Sequence, residues 1–216
     1  MNDSVTASSP LLPVAVGHLA RLQTGLDFVN TLDLWPVPHD HLESPQAALE
    51  WLVQHDLLHR EARTHLLAMF AASPAAGTEI LGKLRRVRQA MRGVLEASAS
   101  HQAAAPADLE EINRALRTHY IYELVPAPDG VSLDHRHQGD PVDGAIARLA
   151  ESIARELIQG ETSRLRVCEN PHCRWVFKDT SRTGKRKWCS MRSCGNRAKV
   201  ARHRARRKAE TPPVAI

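Results

Sequence analysis

All four cysteines of this 216-residue chain fall between positions 168 and 194, as Cys168-x4-Cys173-x15-Cys189-x4-Cys194, and none precedes them. Each close pair makes a turn, and the loop between the pairs must fold back to bring the turns together. The result is four thiolates around one tetrahedral ion. Two disulfides are the poorer reading, because the N-terminus lacks the positive region of a secretory signal and carries Asp3 in its place. The expectation is therefore one structural zinc on Cys168, Cys173, Cys189 and Cys194, in a cytoplasmic protein. His172, beside Cys173, is read as a neighbour of a site that four sulfurs already close.

Charge divides the chain at nearly the same place. Residues 161–216 hold 16 Lys/Arg against 4 Asp/Glu, a formal +12, while the preceding 160 residues hold 13 against 20, a formal −7. A short, strongly basic segment on an acidic body predicts a polyanionic partner for the tail. From Asn196 to Lys208 there are seven Arg/Lys in thirteen residues and no acidic residue. Such a helix repels itself at i,i+4 pairs such as Arg202–Arg206, and phosphates relieve that repulsion. Asn196, Arg197, Lys199, Arg202, Arg204, Arg206, Arg207 and Lys208 are the expected contacts to double-stranded DNA. Asn196, Arg197 and Arg202 lie nearest the metal and are the candidates for base contacts. Docking of this tail onto the acidic body is a second expectation from the same charge split.

Apolar periodicity fills in the rest. Residues 1–16 are Ser/Pro-rich and read as a flexible N-terminus, and 209–216 as a flexible tail. Residues 17–160 read as a mainly helical domain. Its helices are expected within Leu19–Leu34, after Ser44-Pro45, over Leu57–Ala72, over Glu79–Ala97 with Arg85, Arg86, Arg88 and Arg92 on the flanks, over Asp108–Arg117 and over Val142–Gln159. Tyr120–Val125 and Val131–Leu133 read as a β-hairpin around the turn residues 126–130. Residues 161–208 read as a finger: a first knuckle Cys168–Cys173, a strand Trp175–Phe177, a turn Asp179–Gly184 leading through Lys187-Trp188 to the second knuckle, then the basic helix. The expected architecture is mainly α with short β-hairpins, a helical N-terminal domain plus a small C-terminal treble-clef-like zinc finger with a basic helix. No stretch is long and apolar enough to span a membrane.

Cys194-Gly195-Asn196-Arg197, preceded by Cys168-x4-Cys173 and Trp188-Cys189, resembles the CGNR zinc finger found at the C-terminus of bacterial transcription regulators. Gly25-Leu26-Asp27-Phe28-Val29-Asn30-Thr31 resembles the opening motif of the ABATE domain that accompanies it, described as a stress-induced transcription regulator. The resemblance implies zinc on the four cysteines and DNA binding by the tail.

The N-terminal domain offers little chemistry of its own. Asp27, Asn30 and Thr31 form, with Asp33, a polar set inside an apolar segment. It reads either as a pocket for a small-molecule effector or as caps and buried hydrogen bonds. His39-Asp40-His41 and Asp134-His135-Arg136-His137 read as exposed histidines rather than a second metal site. Trp35, Trp51 and Phe70 read as core or pocket walls. The leading function is a zinc-dependent DNA-binding transcription regulator whose N-terminal domain senses a ligand or forms a homodimer. The alternative is an RNA-binding or protein-interaction module with a structural zinc. A nuclease is disfavoured, because only His172, Asp179 and His203 lie near the finger and four thiolates leave zinc no open position.

Overall fold

The computed structural model describes residues 20–34, 37–118, 120–128 and 130–210. The segment 1–16, Trp35 and residues 211–216, on which expectations were placed, lie outside the described residues. Among the described residues the order is α1 (Leu22–Val29), β1 (Leu32–Asp33), β2 (His39–Asp40), α2 (Pro45–Gln54), α3 (Arg60–Ala72), α4 (Pro74–Ala99), α5 (Pro106–Leu116), β3 (Tyr120–Ala127), β4 (Gly130–His137), α6 (Pro141–Gln159), β5 (Leu165–Val167), β6 (Val176–Lys178) and α7 (Asn196–Glu210). Each strand pairs antiparallel with one neighbour, β1 with β2, β3 with β4 and β5 with β6. None of these helices is long and apolar enough to cross a membrane.

Four helices, α2, α4, α5 and α6, open on a proline, whose missing N–H is harmless in a first turn that has no helical acceptors for it. Ser44 caps α2 by accepting the Ala47 N–H at 3.1 Å, and Asp140 caps α6 by accepting that of Val142 at 2.8 Å. The 26-residue α4 is the spine, and its stripe Ile80, Leu84, Val87, Met91 and Leu95 is buried throughout. α1 and α6 pack on it and on each other, adding Phe28, Leu149 and Ile153, none of which is exposed to solvent. Trp51 and Phe70 belong to the same core.

Three local readings of the sequence are corrected. The first helix stops at Val29 instead of running toward Leu34, because Thr31 folds back on it: its N–H and hydroxyl both donate to the Phe28 carbonyl, at 3.2 and 2.7 Å. Arg88 is not on a flank of α4 but buried beneath it. It donates to Asp40 from both terminal nitrogens at 2.5 and 2.9 Å and to Thr31 Oγ1 at 3.0 Å. Burial opposes the Asp40 charge, but this bidentate partner outweighs it and holds the carboxyl below its ordinary range. The β3–β4 hairpin is longer than expected, continuing to Ala127 and His137 with Leu124 opposite Leu133.

The finger does not stand apart from this body. Leu165 and Val176, on β5 and β6, are buried in the same core as the helices, and both strands lie against α4. An unaided hairpin of this size is marginal in water, so docking on the helical body stabilises it.

Candidate metal centre and nucleic-acid interface

The first knuckle is the turn of the β5–β6 hairpin. The Cys168 N–H donates to the Trp175 carbonyl at 2.8 Å, and the N–H groups of Cys173 and Arg174 both donate to the Asn170 carbonyl, at 2.9 and 3.1 Å. β6 therefore pairs backward with β5, Val176 opposite Val167. The chain that follows is held as a loop by buried Asp179, which accepts the N–H groups of Ser181 and Arg186 at 2.9 and 2.8 Å. Burial opposes the charge of this carboxyl, yet the two backbone donors and the Arg186 cation win and hold its pKa down at about 2.

The second knuckle ends in one wide helical turn, Met191–Gly195, closed by the Gly195 N–H on the Ser190 carbonyl at 3.0 Å. A Cβ at Gly195 would lie 2.7 Å from Met191 Sδ and 3.2 Å from Trp188 Cδ1. A larger residue there would require the end of the Met191 side chain to move aside. The turn runs without a break into α7, so buried Cys194 ties the helix to the sulfur cluster.

The four Sγ atoms lie within 4.8 Å of one another, and Cys173–Cys189 and Cys189–Cys194 are 3.7 and 3.9 Å apart. A tetrahedron with metal–sulfur bonds of about 2.3 Å has edges of about 3.8 Å, whereas a disulfide brings sulfurs to about 2.05 Å. The spacing fits a shared ion, and all four cysteines are free of disulfides. Charge leads to the same conclusion. Burial, then neighbouring sulfurs, pushes the Cys173 thiol up to about 12 and Cys189 higher still. Cys194 goes the other way: burial opposes its charge, but the Asn170 amide donating at 3.3 Å and the adjacent thiols outweigh it. Four thiolates cannot share this space without a cation, and one zinc held by all four, with no open position, supplies it. His172 is exposed on the knuckle, its N–H donating to Asn170 Oδ1, and stands outside the sulfur cluster.

Beyond the metal centre the chain changes character. Asn196, Arg197, Lys199, Arg202, Arg204, Arg206 and Arg207 are all exposed along α7, as is His203. Lys208 belongs to the same helix, although its side chain lies outside those described, and the helix runs to Glu210, past the expected boundary at 208. At 100° per residue Ala198, Ala201, Ala205 and Ala209 share one face and the cations cover the others. Every residue from Lys199 to Arg207 is exposed, so α7 is not docked on the acidic body.

The polar set proposed as an effector pocket has other employment. Asp27 accepts from Gln23 Nε2 at 2.7 Å on the surface of α1. Thr31 is bonded to Phe28 and Arg88 as above. Asn30 is buried, and its side-chain amide exchanges two hydrogen bonds with the backbone of Val176: Nδ2 donates to the carbonyl at 2.8 Å and Oδ1 accepts the N–H at 3.0 Å. It extends the edge of β6 as a further strand would. Lys178 pairs with buried Glu156 of α6 at 2.7 Å, and Arg92 of α4 donates to the Arg174 carbonyl at 2.5 Å. These clasps join residues up to 146 positions apart, and no local pattern in the sequence announces them. His39 and His41 are exposed and stack edge to face, with Asp40 committed to Arg88. The side chains of Asp134, His135 and Arg136 lie outside the described residues.

Residues 164–207 match the CGNR zinc finger, and residues 22–161 match the ABATE family, whose description reads "Putative stress-induced transcription regulator". Among curated proteins no relative matches the chain. The second match spans well over half of the sequence, and the chain belongs to that family.

Proposed function

We propose that this ABATE-family chain is a transcription regulator that binds duplex DNA through α7, with zinc fixing the helix on the body and the N-terminal domain sensing a small effector. The observation that carries the reading is a helix on which six cations, Arg197, Lys199, Arg202, Arg204, Arg206 and Arg207, are exposed, rooted in the four-sulfur centre through Cys194. Cations spread around most of the helix suit contacts to phosphate, which position a protein without reading sequence. Asn196, Arg197 and Arg202, on the turns closest to the rigid centre, are best placed to reach base edges.

The test is the salt dependence of DNA affinity. The logarithm of the binding constant should fall steeply with the logarithm of salt, by about 0.9 per phosphate contacted. Replacing Arg204, Arg206 and Arg207 together with glutamine should flatten that slope by about 3 if each contacts one phosphate. A slope unchanged by the triple substitution removes α7 from the interface. Preference for structured RNA over duplex DNA in competition would transfer the reading to RNA.

A further inference from the structure

The N-terminal body has a cleft of its own, on the side of α4 away from the residues that grip the finger. It lies between α4, α5, α6 and the end of β4, with a volume of about 280 Å³. The floor is apolar and closed, made by Val87 and Ile146, which are 2% and 1% exposed. Two ion pairs stand over this floor, Lys83 with Asp143 on one side and Arg114 with Glu111 on the other. One wall is fixed by contact with backbone: a Cβ at Gly144 would come within 2.7 Å of His137 Cβ, so the end of the hairpin rests directly on α6. The cleft is thus built before any ligand arrives.

We propose that this cleft binds a small zwitterion of the α-amino-acid class with an aliphatic side chain. A cavity of this volume is at the small end of ligand sites, suited to an amino acid rather than a nucleotide. A carboxylate finds Arg114 and Lys83, an ammonium finds Glu111 and Asp143, and the side chain covers Val87 and Ile146. Arg114 is 64% exposed, and half-solvated ion pairs exchange readily for the charges of a ligand. A ligand of either single charge leaves both carboxylates or both cations without a new partner and is the weaker occupant. The cleft is separate from the set Asp27, Asn30 and Thr31, of which Asn30 and Thr31 are bonded within the protein. The same two helices that line the cleft also contact the finger, α4 through Arg92 and α6 through Glu156, which gives a physical link between the cleft and the seat of the metal centre.

Only the regulatory meaning rests on the DNA-binding reading; the binding itself does not. Isothermal titration of the full-length, zinc-loaded protein with each aliphatic L-amino acid, and with butylamine and butyrate as single-charge controls, tests it without DNA. At least one amino acid should bind, with both controls weaker by about tenfold or more. Arg114→Gln removes an exposed guanidinium without threatening the fold, and Ala115→Leu fills the cleft; each should weaken binding by about tenfold or more. If Ala115→Leu does not fold, Arg114→Gln alone decides. The proposal is overturned by no heat with any of the amino acids, by equal binding of butyrate or butylamine, or by affinity that survives Arg114→Gln. Loss of DNA binding in a separate assay would sink the regulator reading and leave these heats untouched.

Discussion

β6 and α7 flank the same four sulfurs and meet the rest of the molecule in opposite ways. β6 is turned inward: Val176 is 1% exposed, its backbone is clasped by Asn30 and its neighbour Lys178 reaches Glu156. α7 is turned outward, with every residue from Lys199 to Arg207 exposed. The difference teaches how a very small module divides its surface. One edge is spent on attachment to a larger core, which leaves the other without any burial of its own. The cationic helix is rooted at its start by the ion that Cys194 shares with the three other cysteines.

The comparison breaks most sharply if the metal is removed. Chelation should melt the knuckles and the start of α7 while leaving α1 to α6 folded. Structural zinc in small fingers contributes about 10–16 kcal/mol, far more than any side chain here. Hydrogen exchange should show protection lost over 168–174 and 189–197 and retained in α4 and α6; retention of protection at Cys194–Arg197 after complete chelation would contradict the zinc assignment. A smaller effect should come from the inward edge. Asn30→Ala removes both bonds to Val176 and strands two buried backbone groups, at a cost of about 2–4 kcal/mol. Thermal unfolding should show the loss, with zinc stoichiometry unchanged.

Acid should reach the loop between the two knuckles next. Asp179 has a folded-state pKa of about 2 against an ordinary 3.8, so its contribution is complete above about pH 4 and disappears as the pH falls through about 2. Asp179→Asn in the zinc-loaded protein should lower the thermal midpoint near neutral pH, where the carboxylate's contribution is complete, and an unchanged midpoint would contradict that contribution. The smallest stability effect belongs to the outward helix. Neutralising Arg204, Arg206 and Arg207, all exposed, should shift unfolding by no more than about 0.5 kcal/mol, because relief of like-charge repulsion is small on a solvated helix. The same substitutions have their large effect on the salt slope of DNA binding, which separates affinity from fold.

Much of this was legible in one dimension. Helix starts were written in Ser44-Pro45 and Pro141, and the spine in the spacing of Ile80, Leu84, Val87, Met91 and Leu95. The metal centre lay in four cysteines whose spacing has few other uses. What failed failed for tertiary reasons. Arg88 sits on an amphipathic pattern as a flank residue, yet a carboxylate from a distant loop draws it under the helix. Trp175–Phe177 reads as a strand in the sequence, which does not tell that its partner is Leu165–Val167. Asn30 carries the mark of a polar residue among apolar ones, which tells that it is satisfied but not by what.

The sequence by itself determined the cation and its ligands, the charge of the last helix and the order of the elements. Each depends on residues close together in the chain, where spacing is geometry. Only the tertiary structure decided that the finger shares a core with the helical body, which of its edges faces inward and where a cleft opens on the other side of α4. Those outcomes depend on which surfaces exclude water from one another across more than a hundred residues, and such pairings leave no periodic trace.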